Sequence, residues 1–157
     1  MLSNSILEMN MKKRVIIVLS VLFFATSVFA ADAAKYIADL DSSKDENTIV
    51  QAADKLAELK DESAVSKLTG LLTDSRDAVR LHSVMALGYI GEEDSVEAIN
   101  NVLLTDKNAT VRYAALLATV RIGSKKSLPA WAKAKETETD PYIKDFLKKM
   151  EEKATGK

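Results

Sequence analysis

The chain has 157 residues, with 22 basic and 23 acidic side chains, one histidine and no cysteine, and its net charge at pH 7 is −1. This balance argues against a protein that holds nucleic acid through a basic, phosphate-tracking surface. The lack of cysteine excludes disulfides, thiol catalysis and thiolate metal sites.

The first predicted element is a targeting segment. Residues 11–14 are Met-Lys-Lys-Arg, residues 15–24 are almost wholly apolar, and Val28-Phe29-Ala30 places small residues where a signal peptide is cut. We therefore predict an N-terminal extension and cleavable signal peptide over residues 1–30. The alternative is a retained membrane anchor, although the apolar run is shorter than the ~20 residues that a span needs.

Cleavage after Ala30 would leave residues 31–157 as an exported mature chain, periplasmic or secreted, with a net charge of −3. The polar stretch before residue 11 suggests that translation starts at Met9 or Met11. We expect no stable membrane insertion once the signal is removed, because no other apolar run approaches the length of a span.

The rest of the chain is predicted to be helical. Its two prolines, Pro129 and Pro141, stand near predicted helix starts, where a missing N–H is tolerated. Apolar residues recur at helical spacing between short polar turns. The predicted helices cover residues 32–40, 46–60, 63–73, 76–90, 94–105, 108–122, 126–137 and 140–153.

Capping residues support these boundaries. Gly91 and Gly123 follow the last apolar residue of their helices and suit the left-handed position there. Four polar residues are predicted as N-caps of the leading or final helices. They are Ser63, Ser95, Ser127 and Asp140.

The helices repeat. Thr73–Arg80 reads TDSRDAVR and is echoed by TDKNATVR at Thr105–Arg112, 32 residues later. A fixed period of this length is typical of stacked repeat proteins. Counted from Val79 and from Val111, apolar or small residues fall at helical spacing along one stripe, which we predict to be the core face. The stripes comprise His82, Ser83, Ala86, Leu87 and Ile90, and Ala114, Ala115, Ala118, Thr119 and Ile122.

The run DSRDAVRLHSVMALGYIG and its continuation to Gly123 resemble tandem HEAT repeats, of the short type also found in phycobilisome-lyase proteins. The resemblance implies an all-α fold, an α-solenoid of about four stacked antiparallel helix pairs that forms one domain over residues 31–157. It also implies a ladder between neighbouring repeats, formed by turn aspartates and the arginines that follow them: Asp74, Asp106, Arg80 and Arg112. Lys144 replaces arginine in the last unit, and Lys60 stands where glycine is expected.

No residue set predicts catalysis, a metal site or a cofactor site. His82 is the single histidine, and we interpret it as a hydrogen-bonded residue beside the core. The acidic clusters at 61–62 and 92–94 are interpreted as solvated helix starts, because carboxylates favour the helix dipole there. Trp131 is assigned to the core of the last leading helix, with Tyr142, Phe146 and Met150 sealing that end.

Apolar residues outside the core stripe indicate a binding surface. In stacked repeats of this kind the second helices line the concave side, so we predict that Leu81 and Tyr113 anchor a partner there, with Gly88 flattening the floor. Tyr89 and Arg121 would form the margin. Four residues lie on the flanks, where packing between repeats is favoured over contact with a partner: Met85, Leu117, Val84 and Leu116. Met85 and Leu117 are still included among the candidate partner-binding residues.

The sequence therefore predicts a monomeric, non-enzymatic module that binds or scaffolds a protein or peptide outside the cytoplasm. Two alternatives stay open at this point. One is an accessory or lyase-like factor related to the phycobilisome-lyase repeat proteins, and the other is a structural subunit of an envelope complex.

Overall fold

The structure is a computed structural model that describes residues 33–155. The predicted signal peptide and its cleavage site lie outside the described residues. Within 33–155, none of the helices combines the length and apolar character that a membrane crossing requires.

Each predicted helix is present, with its ends within two residues of the predicted ones. The first, α1, covers residues 33–39. The others are α2 (Glu46–Leu59), α3 (Val65–Leu71), α4 (Asp77–Ile90), α5 (Val96–Thr105), α6 (Ala109–Ile122), α7 (Leu128–Thr137) and α8 (Pro141–Thr155). No strand interrupts them over the described range, so the all-α prediction is confirmed.

The second helices of successive pairs end in the same way. Gly91 and Gly123 adopt left-handed backbone with φ of 91° and 73°, as predicted. Lys60 holds the equivalent place after α2 with φ of 51°. The lysine therefore keeps the repeat geometry at some steric cost, since a side chain at positive φ is disfavoured. The first unit follows the repeat despite lacking the expected glycine.

The predicted serine caps are confirmed only in position, and only in part. Ser95 and Ser127 hold the N-cap positions of α5 and α7, whereas Ala64 holds that of α3. Each of α3, α5 and α7 is preceded by one turn of 3₁₀ helix, so the chain begins to wind one or two residues upstream of the predicted cap. Ser63 lies inside such a turn, and Asp61 accepts a hydrogen bond from its backbone N–H at 3.0 Å. Ser95 and Ser127 are buried and cap no helix with their side chains. Asp140 does cap α8, accepting from the N–H of Tyr142 at 2.9 Å.

Helix α4 occupies the centre of the stack, packed against α2, α3 and α6. Most of its predicted core stripe is confirmed: Val79, Ser83, Ala86, Leu87 and Ile90 are all buried, while His82 is partly buried. The corresponding stripe of α6 is buried from Val111 to Thr119, while Ile122 is partly buried. Helix α6 packs on α5, and α5 packs on α7, so each pair shares its core with the next. This arrangement is the α-solenoid that the repeats predict.

The sequence suggested that Gly88 lies on the floor of an exposed binding surface, and this prediction is wrong. Gly88 is buried where α4 meets α6, and a Cβ atom at this position would come within 2.7 Å of the Ala118 Cβ and 2.8 Å of its Cα. The contact with α6 covers the side of α4 opposite Val79. Glycine is required here because the two helix backbones approach so closely.

Candidate functional site: the inter-repeat ladder and the exposed face of the second helices

The predicted ladder is present between the second and third pairs. Arg80 follows the turn of its own repeat and reaches the turn of the next, where Nε donates to Asp106 Oδ2 at 2.7 Å and Nη2 donates to Oδ1 at 3.0 Å. Both side chains are buried. Arg80 Nη1 also donates to the Asp74 carbonyl at 2.8 Å, so one guanidinium ties two turns together.

The next rung uses a residue that the sequence reading missed. Arg112 donates from Nε and Nη2 to the two carboxylate oxygens of Glu138, at 2.9 and 2.7 Å. Its Nη1 donates to the carbonyl of Asp106 at 2.9 Å, which repeats the Arg80 geometry. Glu138 stands 32 residues after Asp106, so the repeat period identifies it. Glutamate takes the place that aspartate holds in the two preceding repeats.

Asp74 belongs to a different arrangement from the one predicted. No arginine stands one repeat before Arg80, and Asp74 is instead clamped by Arg76 of its own turn, whose Nη2 lies 2.7 Å from Oδ2. Arg76 Nη1 donates to the Lys44 carbonyl at 2.8 Å and so reaches the preceding turn. The inter-repeat tie at this end therefore runs from Arg76 to backbone carbonyls. At the other end Lys144 is exposed and lies within ion-pair distance of no described carboxylate, so it forms no rung.

The ladder keeps its carboxylates ionised. The hydrogen bonds from Arg112 lower the pKa of Glu138 from its usual 4.5 to about 2, against the opposing effect of burial. Burial on its own would raise the pKa of Asp106, but the hydrogen bonds from Arg80 and from the Asn108 N–H outweigh it and the pKa is lowered. Bidentate pairs of this kind need the planar fork of arginine. These residues tie neighbouring repeats together, and their charged groups are paired with one another.

Exposed apolar and aromatic side chains lie on the second helices α4 and α6, where the sequence predicts partner binding. Met85 and Leu117 are each 38% exposed, and Tyr89 is 45% exposed. Arg121 is also exposed, and its guanidinium carbon lies 3.9 Å from the centroid of the Tyr89 ring. We call these four residues the second-helix face. They occupy matching places in the two helices, Met85 with Leu117 and Tyr89 with Arg121, 32 residues apart.

Leu81 and Tyr113, the expected central anchors, lie at the edge of this face. Both are partly buried and pack against the core. The Tyr113 ring meets the Phe146 ring of α8 edge to face, with centroids 5.8 Å apart. Their role in binding a partner stays a prediction, and their packing means that removing them would disturb α6 and α8 as well.

The exposed arc is rotated from the one the sequence suggested. Relative to Val79, Leu81 lies about 200° around the helix, Met85 about 240° and Tyr89 about 280°. The close packing of α4 on α6 buries Val84 and Gly88 and so covers the side near 140–180°. Of the four flank residues, Val84 and Leu116 are fully buried, as expected for packing between repeats, whereas Met85 and Leu117 each remain 38% exposed.

His82 joins two second helices. Its Nδ1 lies 2.7 Å from Asp54 Oδ1 on α2, and the ring is partly buried. This geometry confirms the interpretation as a hydrogen-bonded histidine beside the core. Residues 33–155 contain no group of three or more His, Asp or Glu side chains arranged to hold a metal ion.

The end of the stack carries a separate groove between α7 and α8. It has a volume of about 550 Å³ and is lined by Leu128, Trp131, Leu147 and Met150, with the Lys135–Glu151 ion pair at its rim. Trp131 packs against the core and its Nε1 donates to Thr119 Oγ1 at 2.9 Å, which supports the core assignment on one side of the ring. Tyr142 does not seal this end as predicted, because it is 81% exposed.

Stacked helix pairs whose turns are tied by arginine–carboxylate pairs define a helical-repeat protein. Comparison with protein families narrows the class. The family model for HEAT repeats matches residues 33–118 and again residues 70–145, so the chain belongs to the HEAT-repeat family. No curated protein matches the chain. HEAT repeats are typical of protein-interaction scaffolds.

Proposed function

We propose that this protein is a non-enzymatic, exported scaffold that binds a polypeptide segment on the second-helix face. The observation that carries the proposal is the row of exposed Met85, Leu117 and Tyr89 on two adjacent helices of a HEAT stack. Contiguous exposed apolar and aromatic side chains beside an arginine are favoured at protein interfaces.

The rest of the molecule supports a binding role. The described ionisable groups with strongly perturbed pKa, Arg80 and Glu138, are consumed by the ladder between repeats. The Arg80 guanidinium and the Glu138 carboxylate are bonded at the turns between helices. In a catalytic centre we would expect ionisable groups with perturbed pKa values to line a cavity and to be available to a substrate.

Export is the second part of the proposal and rests on residues 11–30 of the sequence. The basic cluster, the short apolar run and the small residues at 28 and 30 support a cleaved signal peptide. N-terminal sequencing of the protein recovered from a native host tests it. A mature chain that begins at Ala31 is the expected result, and a product that retains residues 15–29 would favour an anchored protein instead.

Site-specific photocrosslinking tests the binding surface. A photoreactive amino acid placed at Leu117 should crosslink a discrete protein in native extracts, because that side chain faces the proposed partner. The same group at Glu97, which is exposed on leading helix α5, is the matched control and should give no such product. Equal crosslinking from Leu117 and Glu97 would refute this choice of surface.

A paired variant completes the test. Met85→Ser with Leu117→Ser removes the apolar row while leaving the buried core intact, so the crosslink formed from Tyr89 should disappear and the helical signal should persist. If the crosslink survives the double substitution, the partner is held elsewhere on the chain.

A further inference from the structure

The second-helix face contains a guanidinium that is held in place but has no carboxylate partner. Among the described arginines, Arg76 pairs with Asp74, Arg80 with Asp106 and Arg112 with Glu138. Arg121 lies over the Tyr89 ring instead and has no acidic group within 4.0 Å in the described part of the chain. The chain thus leaves one cation uncompensated on the surface proposed for binding.

The stacking arrangement leaves the donor edge of Arg121 available. A guanidinium is planar, so a ring on its face leaves the N–H groups at its edge free to donate. These groups match the two oxygens of a carboxylate in a bidentate contact. Because Tyr89 already restricts the side chain, less conformational freedom is lost when an anion binds.

Asp54 and Glu58 on the preceding second helix, α2, have partners of their own. Asp54 is engaged by His82 at 2.7 Å, and Glu58 is engaged by Lys55 at 2.7 Å, both on the α2 side of α4. Met85 and Leu117, which complete the face, are neutral and apolar. An incoming acidic group would therefore meet an unpaired cation beside an apolar row.

We infer that the segment bound on the second-helix face carries an aspartate or glutamate next to apolar side chains, and that Arg121, positioned by Tyr89, selects for that carboxylate. The inference rests on the proposed function and names the chemistry of its partner. Arg121 is the cation of the second-helix face and the other three members of the face are neutral, which suits one carboxylate on a polypeptide. Nucleic acid and anionic membranes are instead bound by clusters of basic residues.

Selection from a library of random linear peptides displayed on phage, against the full chain, tests the inference. The selected peptides should be enriched in an acidic residue beside large apolar ones. The affinity of a synthetic peptide from this set should then fall by about tenfold or more in Arg121→Gln, since a hydrogen bond to a charged group is lost. Lys144→Gln removes the same charge from an exposed, unpaired position on α8 and should leave the affinity unchanged.

A double-substitution cycle isolates the contact. Changing the acidic residue of the peptide to its amide should weaken binding to the wild-type chain but cause little further loss with Arg121→Gln. Raising the salt concentration should weaken the wild-type complex more than the variant complex. Circular dichroism checks that Arg121→Gln is folded, which is expected because the side chain is exposed.

The outcomes separate the two proposals. Peptides without acidic enrichment that depend on Met85 and Leu117 but not on Arg121 would overturn the inference and leave the proposed function standing. If no peptide is selected, or if binding ignores Met85 and Leu117, the proposed function fails. Binding of phosphatidylglycerol vesicles or single-stranded DNA that requires Arg121, without peptide binding, would assign the guanidinium to a different anion and overturn the inference.

Discussion

Because α4 and α6 approach closely at Gly88, we predict that Gly88→Ala destabilises the protein, although a glycine-to-alanine change in a helix usually stabilises it. Replacing a glycine inside a helix with alanine normally stabilises the helix by about 1 kcal/mol, because glycine loses more backbone freedom on folding. At Gly88 the added Cβ would meet the Cβ and Cα of Ala118 at 2.7 and 2.8 Å. One of these atoms belongs to the backbone, so the clash can be relieved only if the helices move apart.

The magnitude follows from the two opposing effects. Overpacking of a close-packed interface typically lowers the free energy of unfolding by roughly 1–3 kcal/mol, and we take this range for the added Cβ of Gly88→Ala. After the helix-propensity gain, Gly88→Ala should lower the free energy of unfolding by about 0–2 kcal/mol. Gly70 provides the matched control, since it lies in α3, is exposed, and has no atom within 4 Å of an added Cβ. Gly70→Ala should therefore raise the stability by up to about 1 kcal/mol.

Urea denaturation followed by circular dichroism at the helical band measures both variants. The free energies of unfolding should differ by about 1–3 kcal/mol, which separates the midpoints by on the order of 1 M. If Gly88→Ala stabilises the protein as much as Gly70→Ala does, α4 and α6 do not pack as closely as the structure shows. Gly88→Ser, with a larger side chain, should be more destabilising than Gly88→Ala.

Three further predictions concern the ladder and the core. Arg112→Ala should lower the free energy of unfolding in urea by about 3 kcal/mol, because it leaves a buried carboxylate without its cation. Lys55→Ala breaks an exposed pair and should cost much less. Equal losses from the two variants would contradict the ladder. The pKa of Glu138 is lowered from 4.5 to about 2, so ionised Glu138 contributes about 3 kcal/mol to the free energy of unfolding above pH 4.5. This contribution is lost as the pH falls towards 2. Glu138→Gln should therefore flatten the loss of stability in acid, whereas Glu136→Gln, at an exposed position two residues away, should not. Val111→Asp places an unpaired charge at a site that is 1% exposed and should destabilise by several kcal/mol; an unchanged thermal midpoint would refute the core assignment.

The fold could be predicted because the same pattern of core and helix-ending residues recurs in successive repeats. Val79 and Val111 head core stripes at the same phase, and Gly91 and Gly123 end their helices in the same left-handed conformation. Helical spacing and glycine placement depend on local backbone geometry, which a sequence pattern reports directly. The helix ends were accordingly found within two residues, while the predicted serine side chains do not cap their helices because the 3₁₀ turns move the start of winding upstream.

The details of the surface could be predicted less well, because they depend on how far apart the helices stand. Gly88 and Val84 are buried by α6, and this contact cannot be predicted from the sequence of α4 alone. The same packing rotates the exposed arc from Leu81 towards Met85 and Tyr89. The ladder acceptor Glu138 was within reach of the sequence, since position 138 repeats 74 and 106. Matching by period with any carboxylate allowed would have found it.

Arg112 and Arg121 show how one helix places one arginine in a structural tie and leaves another on its exposed side. Arg112 lies in the first turn of α6, where the next turn offers Glu138 and backbone carbonyls as partners. Arg121 lies in the last turn, on the exposed side, where the adjacent helix presents Tyr89. An aromatic ring positions a cation without neutralising its charge. Stacking the repeats therefore satisfies the first arginine and leaves the second oriented, charged and open to an acidic group from another chain.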